Sequence, residues 1–181
     1  IISATGYTGS GGFEIYVANE NAAAVWDAIM NAAAPYDIQP IGLGARDTLR
    51  LEMGYRLYGN DIDDSTSPLE AGLGWITKLR KDDFVNKAFL VQQKAEGLKR
   101  KLVGFEVLAK RPPRQGYTIV NAEGATIGSV TSGTKCPSVN KPVGMGYVQK
   151  EYAKSGTEIF IEVRGKQMPA VVVKLPFYKP S

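Results

Sequence analysis

Two arginines one helical turn apart are the residues of this sequence whose type and spacing most directly suggest chemistry. Arg46 and Arg50 lie in the segment GLGARDTLRLE, so a helix would place both on one face. A glycine-containing loop precedes them, and guanidinium groups beside such a loop could bind a carboxylate through two parallel hydrogen bonds. On charge and spacing alone, a solvated helix face with pairs such as Arg56–Glu52 is the commoner interpretation.

A carboxylate next to a glycine-rich stretch is the second candidate. TGYTGSGG leads into FEIYV, where Glu14 and Tyr16 alternate with apolar residues. This alternation predicts a strand over 13–17 with Glu14 on the polar face. The stretch is not a phosphate loop, because no Gly-Lys-Ser/Thr follows and a strand replaces the helix. On spacing alone, a hairpin turn with a solvated Glu14 is the ordinary interpretation.

The residue types present argue against metal and nucleophilic chemistry. The 181 residues include no His and one Cys, Cys136, so the usual zinc and iron ligand sets and His-based triads cannot be assembled. The carboxylates between Asp61 and Glu70 do not match a calcium-loop register. We therefore expect no metal site and no Ser-His-Asp or Cys-His catalysis within this chain. Cys136, which precedes a proline, is expected to be buried or half-buried.

Helical patterns surround these candidates. Three helices are predicted: a core helix over 21–34, a helix over 45–53 that carries both arginines, and a helix over 86–95. Short strands are predicted after Gly54 and up to Ile76. A basic run, Gly97 to Lys101, is interpreted as a solvated linker and places a domain boundary between 97 and 98, because no aromatic platform accompanies it.

After that run, apolar segments recur at intervals of about ten residues with turn signals between them. Six strands are predicted, with hairpin turns at Gly124 and Gly165. They are Leu102–Val107, Tyr117–Val120, Ala125–Thr131, Val143–Val148, Glu158–Val163 and Met168–Leu175. The spacing predicts an antiparallel β-barrel or sandwich over 98–181.

Composition sets outer limits on function. The formal net charge is +4, too small to indicate nucleic acid by itself, and no apolar run approaches the length of a membrane span. No nucleic-acid or membrane partner is therefore expected. The chain starts at Ile1 without an initiator Met, which we interpret as a cut inside a larger protein.

Several of these motifs together resemble one family. TGYTGSGGFEI, GLGARDTLRLE, GYRLYGNDID and SPLEAGLGW follow one another as in the middle region of the T-protein (aminomethyltransferase) of the glycine cleavage system, and GSVTSGTKCPSVNKPVGMGYV resembles its C-terminal signature. The resemblance covers most of the chain and is to the C-terminal half of the family. One departure is Val85-Asn86-Lys87, where the family usually has Gly-Lys after the Phe.

The resemblance implies an α+β fold. It consists of part of a mixed α/β folate-binding domain over 1–97, whose N-terminal half is absent, followed by the barrel or sandwich domain. In the family Glu14 stands where a carboxylate contacts the pterin of folate, and Arg46 matches a ligand-binding arginine. Weaker candidates lie in or near matching stretches: Arg50, Tyr58, Asp61, Arg114 and Tyr178. The family's catalytic aspartate belongs to the absent half.

The implied activity is one-carbon transfer. T-proteins release ammonia from the aminomethyl-lipoyl arm of the H-protein and form methylenetetrahydrofolate from tetrahydrofolate. The resemblance thus implies tetrahydrofolate as acceptor, the lipoylated H-protein as partner, and a bacterial cytoplasm or a mitochondrial matrix as location. Two alternatives stay open: a folate-binding module of a dimethylglycine or sarcosine dehydrogenase, and a non-catalytic folate-binding protein of the same fold.

Overall fold

The computed structural model describes residues 1–179 and divides the chain into two compact units, 1–50 and 51 onward. The predicted boundary between 97 and 98 lies inside the second unit and stays a prediction about the domains of the intact fold.

The first unit contains one short β-ribbon and one complete α-helix, which is flanked by the 3-10 turns Asn19–Asn21 and Ala34–Tyr36, and helix α2 begins in it. Strands β1 (Ile2–Ser3) and β2 (Glu14–Ile15) pair antiparallel, so the predicted strand over 13–17 is shorter than expected. Helix α1 (Ala22–Ala33) forms where predicted, but no residue of α1 is buried. The prediction of a core helix is therefore wrong for this chain, because nothing in the unit covers the apolar stripe.

The two remaining helices agree with their predicted positions within two residues at each end. Helix α2 spans Leu43–Glu52, and helix α3 spans Lys87–Glu96 after Asn86, which adopts a left-handed conformation with φ 67°. Between them the chain folds as consecutive turns, with Tyr58–Ile62 as an isolated bridge. The strands predicted after Gly54 and up to Ile76 are absent from this described segment, because its backbone groups pair within local turns.

The second unit is dominated by a closed six-stranded antiparallel barrel, which decides between the two predicted alternatives. Its strands are β3 (Arg100–Val107), β4 (Thr118–Val120), β5 (Thr126–Cys136), β6 (Lys141–Gln149), β7 (Glu158–Val163) and β8 (Lys166–Val173). Around the barrel the order is β3-β6-β5-β4-β7-β8, and β8 closes onto β3. All six predicted strands and both hairpins are confirmed.

Alternation along β6 shows how the sequence builds the barrel wall. Val143, Met145 and Tyr147 contribute to an apolar cluster with Leu51 and Leu102, whereas Val148 belongs to a separate cluster that contains Phe105 and Ile119. The glycines between them make room for that second cluster. A Cβ on Gly144 would come within 2.7 Å of the Phe105 ring, and one on Gly146 within 2.9 Å of Ile119.

The end of α2 and the C-terminal tail pack on the apolar cluster that contains Leu51. Leu175 and Phe177 contact this cluster, and the N–H groups of Phe177 and Tyr178 donate to the Glu52 carbonyl oxygen. The Glu52 carboxylate accepts a hydrogen bond from the Ser138 N–H at 2.8 Å. Cys136 is fully buried here, as expected. The whole is an α+β fold, and no helix within residues 1–179 is long and apolar enough to cross a membrane.

Candidate functional site

Glu14 lies at the start of β2, opposite Ser3, and a loop over 4–13 connects the two strands. The side chain is partly buried, and one carboxylate oxygen accepts a hydrogen bond from the Thr5 hydroxyl. The β-ribbon thus holds the Glu14 backbone while the connecting loop orients its carboxylate. The other carboxylate oxygen makes no hydrogen bond within residues 1–179, so it can accept one from a ligand N–H.

Arg46 lies in the first turn of α2, on an exposed part of the helix. Its guanidinium stacks over the ring of Tyr7 at 4.4 Å from the ring centroid. A cation–π contact of this kind holds the guanidinium plane while its N–H groups remain able to donate to an anion.

Glu14 and Arg46 are brought to the same loop. Thr5 contacts the first and Tyr7 contacts the second, and only Gly6 separates these loop residues, a span of at most about 7 Å between α-carbons. An acceptor carboxylate and a donor guanidinium therefore stand at the two ends of one short segment. Such a pair could bind a ligand that carries N–H donors at one end and an anionic or carbonyl group at the other.

Arg50 is in a different environment from Arg46. Its side chain is almost fully buried and pairs with Asp47, with 2.7 Å between Nη2 and Oδ1. Its Nε donates to the same carboxylate oxygen. Although both arginines lie on one helix, Arg46 is exposed to solvent and Arg50 is buried.

Asp61 is the most buried of the weaker candidates. Its carboxylate accepts hydrogen bonds from the hydroxyls of Thr131 and Ser132 and from the Leu57 N–H, and its carbonyl accepts one from the Tyr147 hydroxyl. These partners lie on β5, on β6 and on its own turn. The geometry gives Asp61 the role of tying the 57–62 turn to the barrel.

The other three weaker candidates lie on the surface of the second unit. The Tyr58 hydroxyl donates to Asp64 at 2.8 Å, and this hydrogen bond raises the pKa of Tyr58. Arg114 is exposed on the loop between β3 and β4. Tyr178 is partly exposed, and its N–H is used on the Glu52 carbonyl. In the second unit, Asn60 donates to Gln115, which places the turn of Tyr58 beside the loop of Arg114.

Arg100 corrects the interpretation of the basic run as a solvated linker. It begins β3, donates to the Glu70 carboxylate at 3.0 Å and lies over the Tyr147 ring at 4.9 Å. Burial raises the pKa of Glu70, but hydrogen bonds from the Ser67 N–H and from Arg100 outweigh it, so the net pKa lies below the ordinary value. Arg100 therefore has a structural role in this basic run, which the charge of the run alone does not reveal.

A cleft of about 1200 Å³ in the second unit contains none of the seven predicted site residues. Apolar side chains and the exposed Trp75 line it together with five cations, which are Lys78, Arg80, Lys94, Lys101 and Lys150. Lys78 donates to the Trp75 carbonyl oxygen, and the other four make no ion pair with residues 1–179. Within the same range no group of acidic, Cys or His side chains is arranged to hold a metal.

Thr5 and Tyr7 orient the two principal candidates, but the sequence motifs do not predict this role, because both residues lie in a glycine-rich turn. Their polar and aromatic character beside Gly6, immediately before the candidate strand, is the signal that could have identified them.

These features define a class: an α+β protein with a closed C-terminal barrel and a glutamate–arginine pair on a loop of its helical segment. Comparison with known families agrees with that fold. Residues 1–81 match the family described as GCVT N-terminal domain, and residues 100–179 match the glycine cleavage T-protein C-terminal barrel domain.

Individual relatives give the same result. The chain is 62% identical over 180 residues to an aminomethyltransferase of Phocaeicola vulgatus, which covers 99% of this chain and 50% of the relative. It is 60% identical over 181 residues to one from Porphyromonas gingivalis, with the same coverage. The crystal structure of glycine cleavage system aminomethyltransferase T from Bartonella henselae is similar at a TM-score of 0.91 and 38% identity, over 98% of this chain and 49% of that one.

The chain belongs to the glycine cleavage T-protein (aminomethyltransferase) family. It spans about half the length of the curated relatives it matches.

Proposed function

We propose that this chain forms part of a tetrahydrofolate-dependent aminomethyltransferase. In the reaction, the aminomethyl group on the lipoyl arm of the H-protein loses ammonia, and its carbon passes from the lipoyl sulfur to tetrahydrofolate. The C–S bond breaks, the arm is left as a thiol, and the product is 5,10-methylenetetrahydrofolate. Family membership and the aminomethyltransferase relatives support a transferase of this class. The bacterial origin of those relatives supports a bacterial cytoplasm as the location.

The main support for the proposal is that Glu14 and Arg46 contact the same short loop segment. Glu14 accepts a hydrogen bond from Thr5, and Arg46 stacks over Tyr7. A pterin presents a ring N–H beside an amino group, and one carboxylate can accept both hydrogen bonds. A folate also carries a glutamate carboxylate, which a guanidinium fork can bind. In this proposal Glu14 binds the pterin and Arg46 binds an acceptor group of the same molecule.

The weaker candidates have secondary places in the proposal. Arg114 and Tyr58 lie near each other on the second unit and are available to ligand, whereas Arg50 and Asp61 hold their elements in place. Tyr178 belongs to the C-terminal tail, which is held by hydrogen bonds to the Glu52 carbonyl oxygen. We assign no catalytic residue to this chain, and we expect it to be inactive alone because the family's catalytic aspartate is outside it.

The lipoylated H-protein is the proposed partner. The cleft of the second unit is lined by five cations, so it would attract an anionic protein surface. Added salt would screen this attraction and weaken it. No metal is needed in this proposal, since the folate amine is the nucleophile that receives the carbon and acid–base work falls to groups outside the chain.

The test is calorimetric titration with tetrahydrofolate. It uses this chain joined to the half of the Phocaeicola vulgatus relative that it does not match, with the Glu14→Ala and Glu20→Ala variants. Glu20 is an exposed carboxylate of the same unit and serves as the matched control. We expect Glu14→Ala to weaken binding at least about tenfold, because it removes a charge-assisted hydrogen bond, and Glu20→Ala to leave it unchanged.

The same protein distinguishes the alternatives. Absence of tetrahydrofolate binding by the folded, joined protein would overturn the folate proposal. Binding without ammonia release from aminomethylated H-protein would favour a non-catalytic folate-binding protein of the same fold.

A further inference from the structure

The carboxylate of Glu14 is held by one neutral donor. Within residues 1–179, the Thr5 hydroxyl is the only group that donates a hydrogen bond to it, and no cation forms an ion pair with it. A lysine or arginine partner would neutralise the carboxylate, whereas a hydroxyl leaves its charge in place. Glu14 is therefore oriented without losing the negative charge that attracts the N–H groups of a ligand.

The acceptor capacity of the carboxylate suits a ligand with paired donors. An ionised carboxylate accepts about four hydrogen bonds on its two oxygens. Thr5 uses one of these positions on one oxygen, and the other oxygen accepts no hydrogen bond within residues 1–179. A pterin presents a ring N–H beside an amino group, and such a pair of donors binds one carboxylate through two parallel hydrogen bonds. The Thr5 contact leaves enough acceptor positions for that edge of the ligand.

The backbone around Glu14 does not by itself fix the direction of the carboxylate. Strands β1 and β2 have two residues each, with Ser3 opposite Glu14. This pairing holds the Glu14 α-carbon, but a long side chain keeps rotamer freedom that a ligand would have to remove on binding. The hydrogen bond from Thr5 restrains that freedom before the ligand arrives, and preorganisation of this kind lowers the cost of binding.

We propose that Thr5 is a positioning residue for pterin recognition, because its hydroxyl holds the Glu14 carboxylate in the orientation that accepts the paired donors. The inference rests on the proposed function, since it assigns Thr5 a part in the binding of tetrahydrofolate by Glu14. Thr5 acts through Glu14 and needs no contact with the ligand. Its contribution to binding therefore depends on the presence of the carboxylate.

The test is calorimetric titration with tetrahydrofolate of this chain joined to the unmatched half of the Phocaeicola vulgatus relative. Thr5→Val keeps the branched side chain and removes the hydroxyl, whereas Thr5→Ser keeps the hydroxyl. We expect Thr5→Val to weaken binding about three- to tenfold, the factor that corresponds to ordering one long side chain, and Thr5→Ser to remain within about twofold of the parent.

Ser10→Ala is the matched control. Ser10 and Thr5 are both exposed on the loop over 4–13, but within residues 1–179 only the Thr5 hydroxyl donates to Glu14. Ser10→Ala should leave tetrahydrofolate binding unchanged. Thermal melting is expected to be the same for Thr5→Val and Thr5→Ser, because the side chain of Thr5 is exposed. Thr5→Ala replaces Thr5→Val in the titration if valine alters the melting.

A double-mutant cycle separates positioning from a general structural effect. If Thr5 acts through Glu14, Thr5→Val should change binding less than about twofold in the Glu14→Ala protein. A further titration uses 6-methyltetrahydropterin, which has the pterin ring but lacks the glutamate tail. Because the inference concerns the pterin, we expect Thr5→Val to weaken the binding of this ligand by the same factor as that of tetrahydrofolate.

Three results would overturn the inference while leaving the folate proposal intact. The first is binding that Glu14→Ala weakens and Thr5→Val leaves unchanged. The second is an equal effect of Thr5→Val with Glu14 and with Glu14→Ala, which would make the role of Thr5 structural. The third is an effect on tetrahydrofolate that is absent with 6-methyltetrahydropterin. Unchanged binding in the Glu14→Ala protein would instead overturn the assignment of Glu14, and the inference with it.

Discussion

Asp61 and Asp64 are two aspartates three residues apart with opposite environments. Asp61 is fully buried and accepts hydrogen bonds from Ser132 and Leu57. Asp64 is exposed and accepts one from Tyr58. A buried donor that loses its acceptor costs its full desolvation penalty, whereas an exposed donor turns to water.

Asp61→Ala is therefore expected to lower the free energy of unfolding by about 3 kcal/mol, and Asp64→Ala by less than about 0.5 kcal/mol. Urea denaturation followed by circular dichroism measures both. Equal effects of the two substitutions would contradict the role of Asp61 in tying its turn to the barrel.

The lowered pKa of Glu70 predicts that the stability of the fold depends on pH. Burial raises the pKa of Glu70, but the Ser67 N–H and Arg100 lower it further, so the folded value lies below the ordinary 4.5. A depressed pKa means that the unfolded state binds the proton more readily. The contribution of Glu70 is thus complete above the ordinary value and is lost as pH falls through the folded pKa.

We expect Glu70→Gln to be less stable than the parent at neutral pH and to lose less stability between about pH 5 and pH 3. Urea midpoints across that range give the comparison. Glu158→Gln, on an exposed position of β7, is the control and should follow the parent curve. A Glu70→Gln curve parallel to the parent would show that the ion pair with Arg100 contributes nothing.

Among the elements of the barrel, a glycine allows strands β5 and β6 to approach each other closely. A Cβ on Gly128 of β5 would lie 1.9 Å from the Tyr147 carbonyl oxygen on β6, which is backbone and cannot rotate away. Gly44, in helix α2, has no atom within 4 Å of the corresponding position.

Gly128→Ala is accordingly expected to destabilise the barrel by about 1–3 kcal/mol or more, because the paired strands must separate. Gly44→Ala should be neutral or stabilise by up to about 1 kcal/mol through higher helix propensity. Thermal melting tests both variants. A tolerated Gly128→Ala would mean that β5 and β6 are less closely paired than the register indicates.

At the scale of the whole molecule, the two units differ in how much apolar surface they bury. The barrel encloses a continuous cluster that includes Phe105, Ile119 and Ile161, whereas α1 buries no residue. Because local opening is easiest where few apolar contacts resist it, we expect amide exchange to be fast in α1 and slow in β3 and β6.

Hydrogen exchange followed by mass spectrometry on this chain measures the difference. Peptides covering α1 should exchange well before those covering β6. Protection of α1 equal to that of β6 would show that the first unit is stable without a covering layer.

The six barrel strands were predictable because each is an apolar run bounded by turn residues, a signal that lies within ten residues of sequence. Helices α2 and α3 were predictable for the same reason. The strands expected after Gly54 and near Ile76 did not form in the described chain, because the backbone groups of these segments pair within local turns and not with a neighbouring strand of a sheet.

The candidate site was predicted only in part. The motifs and the family resemblance singled out Glu14 and Arg46, but not Thr5 and Tyr7, whose contacts arise from loop geometry. Arg46 and Arg50 looked equivalent from their spacing. Their difference in burial depends on what surrounds each turn of the helix, which spacing along the chain does not encode.

The barrel strands and the lack of His follow from the sequence because they depend on local pattern and composition, whereas the α+β class and the family were implied by the resemblance of several motifs to one family. The tertiary structure alone decided that the strands close into a barrel, that Asp61 and Arg100 are anchors, and that the stripe of α1 is left uncovered. These outcomes depend on contacts between residues far apart in the chain, such as Asp61 with Ser132. Burial is a property of that three-dimensional neighbourhood, and no local pattern specifies it.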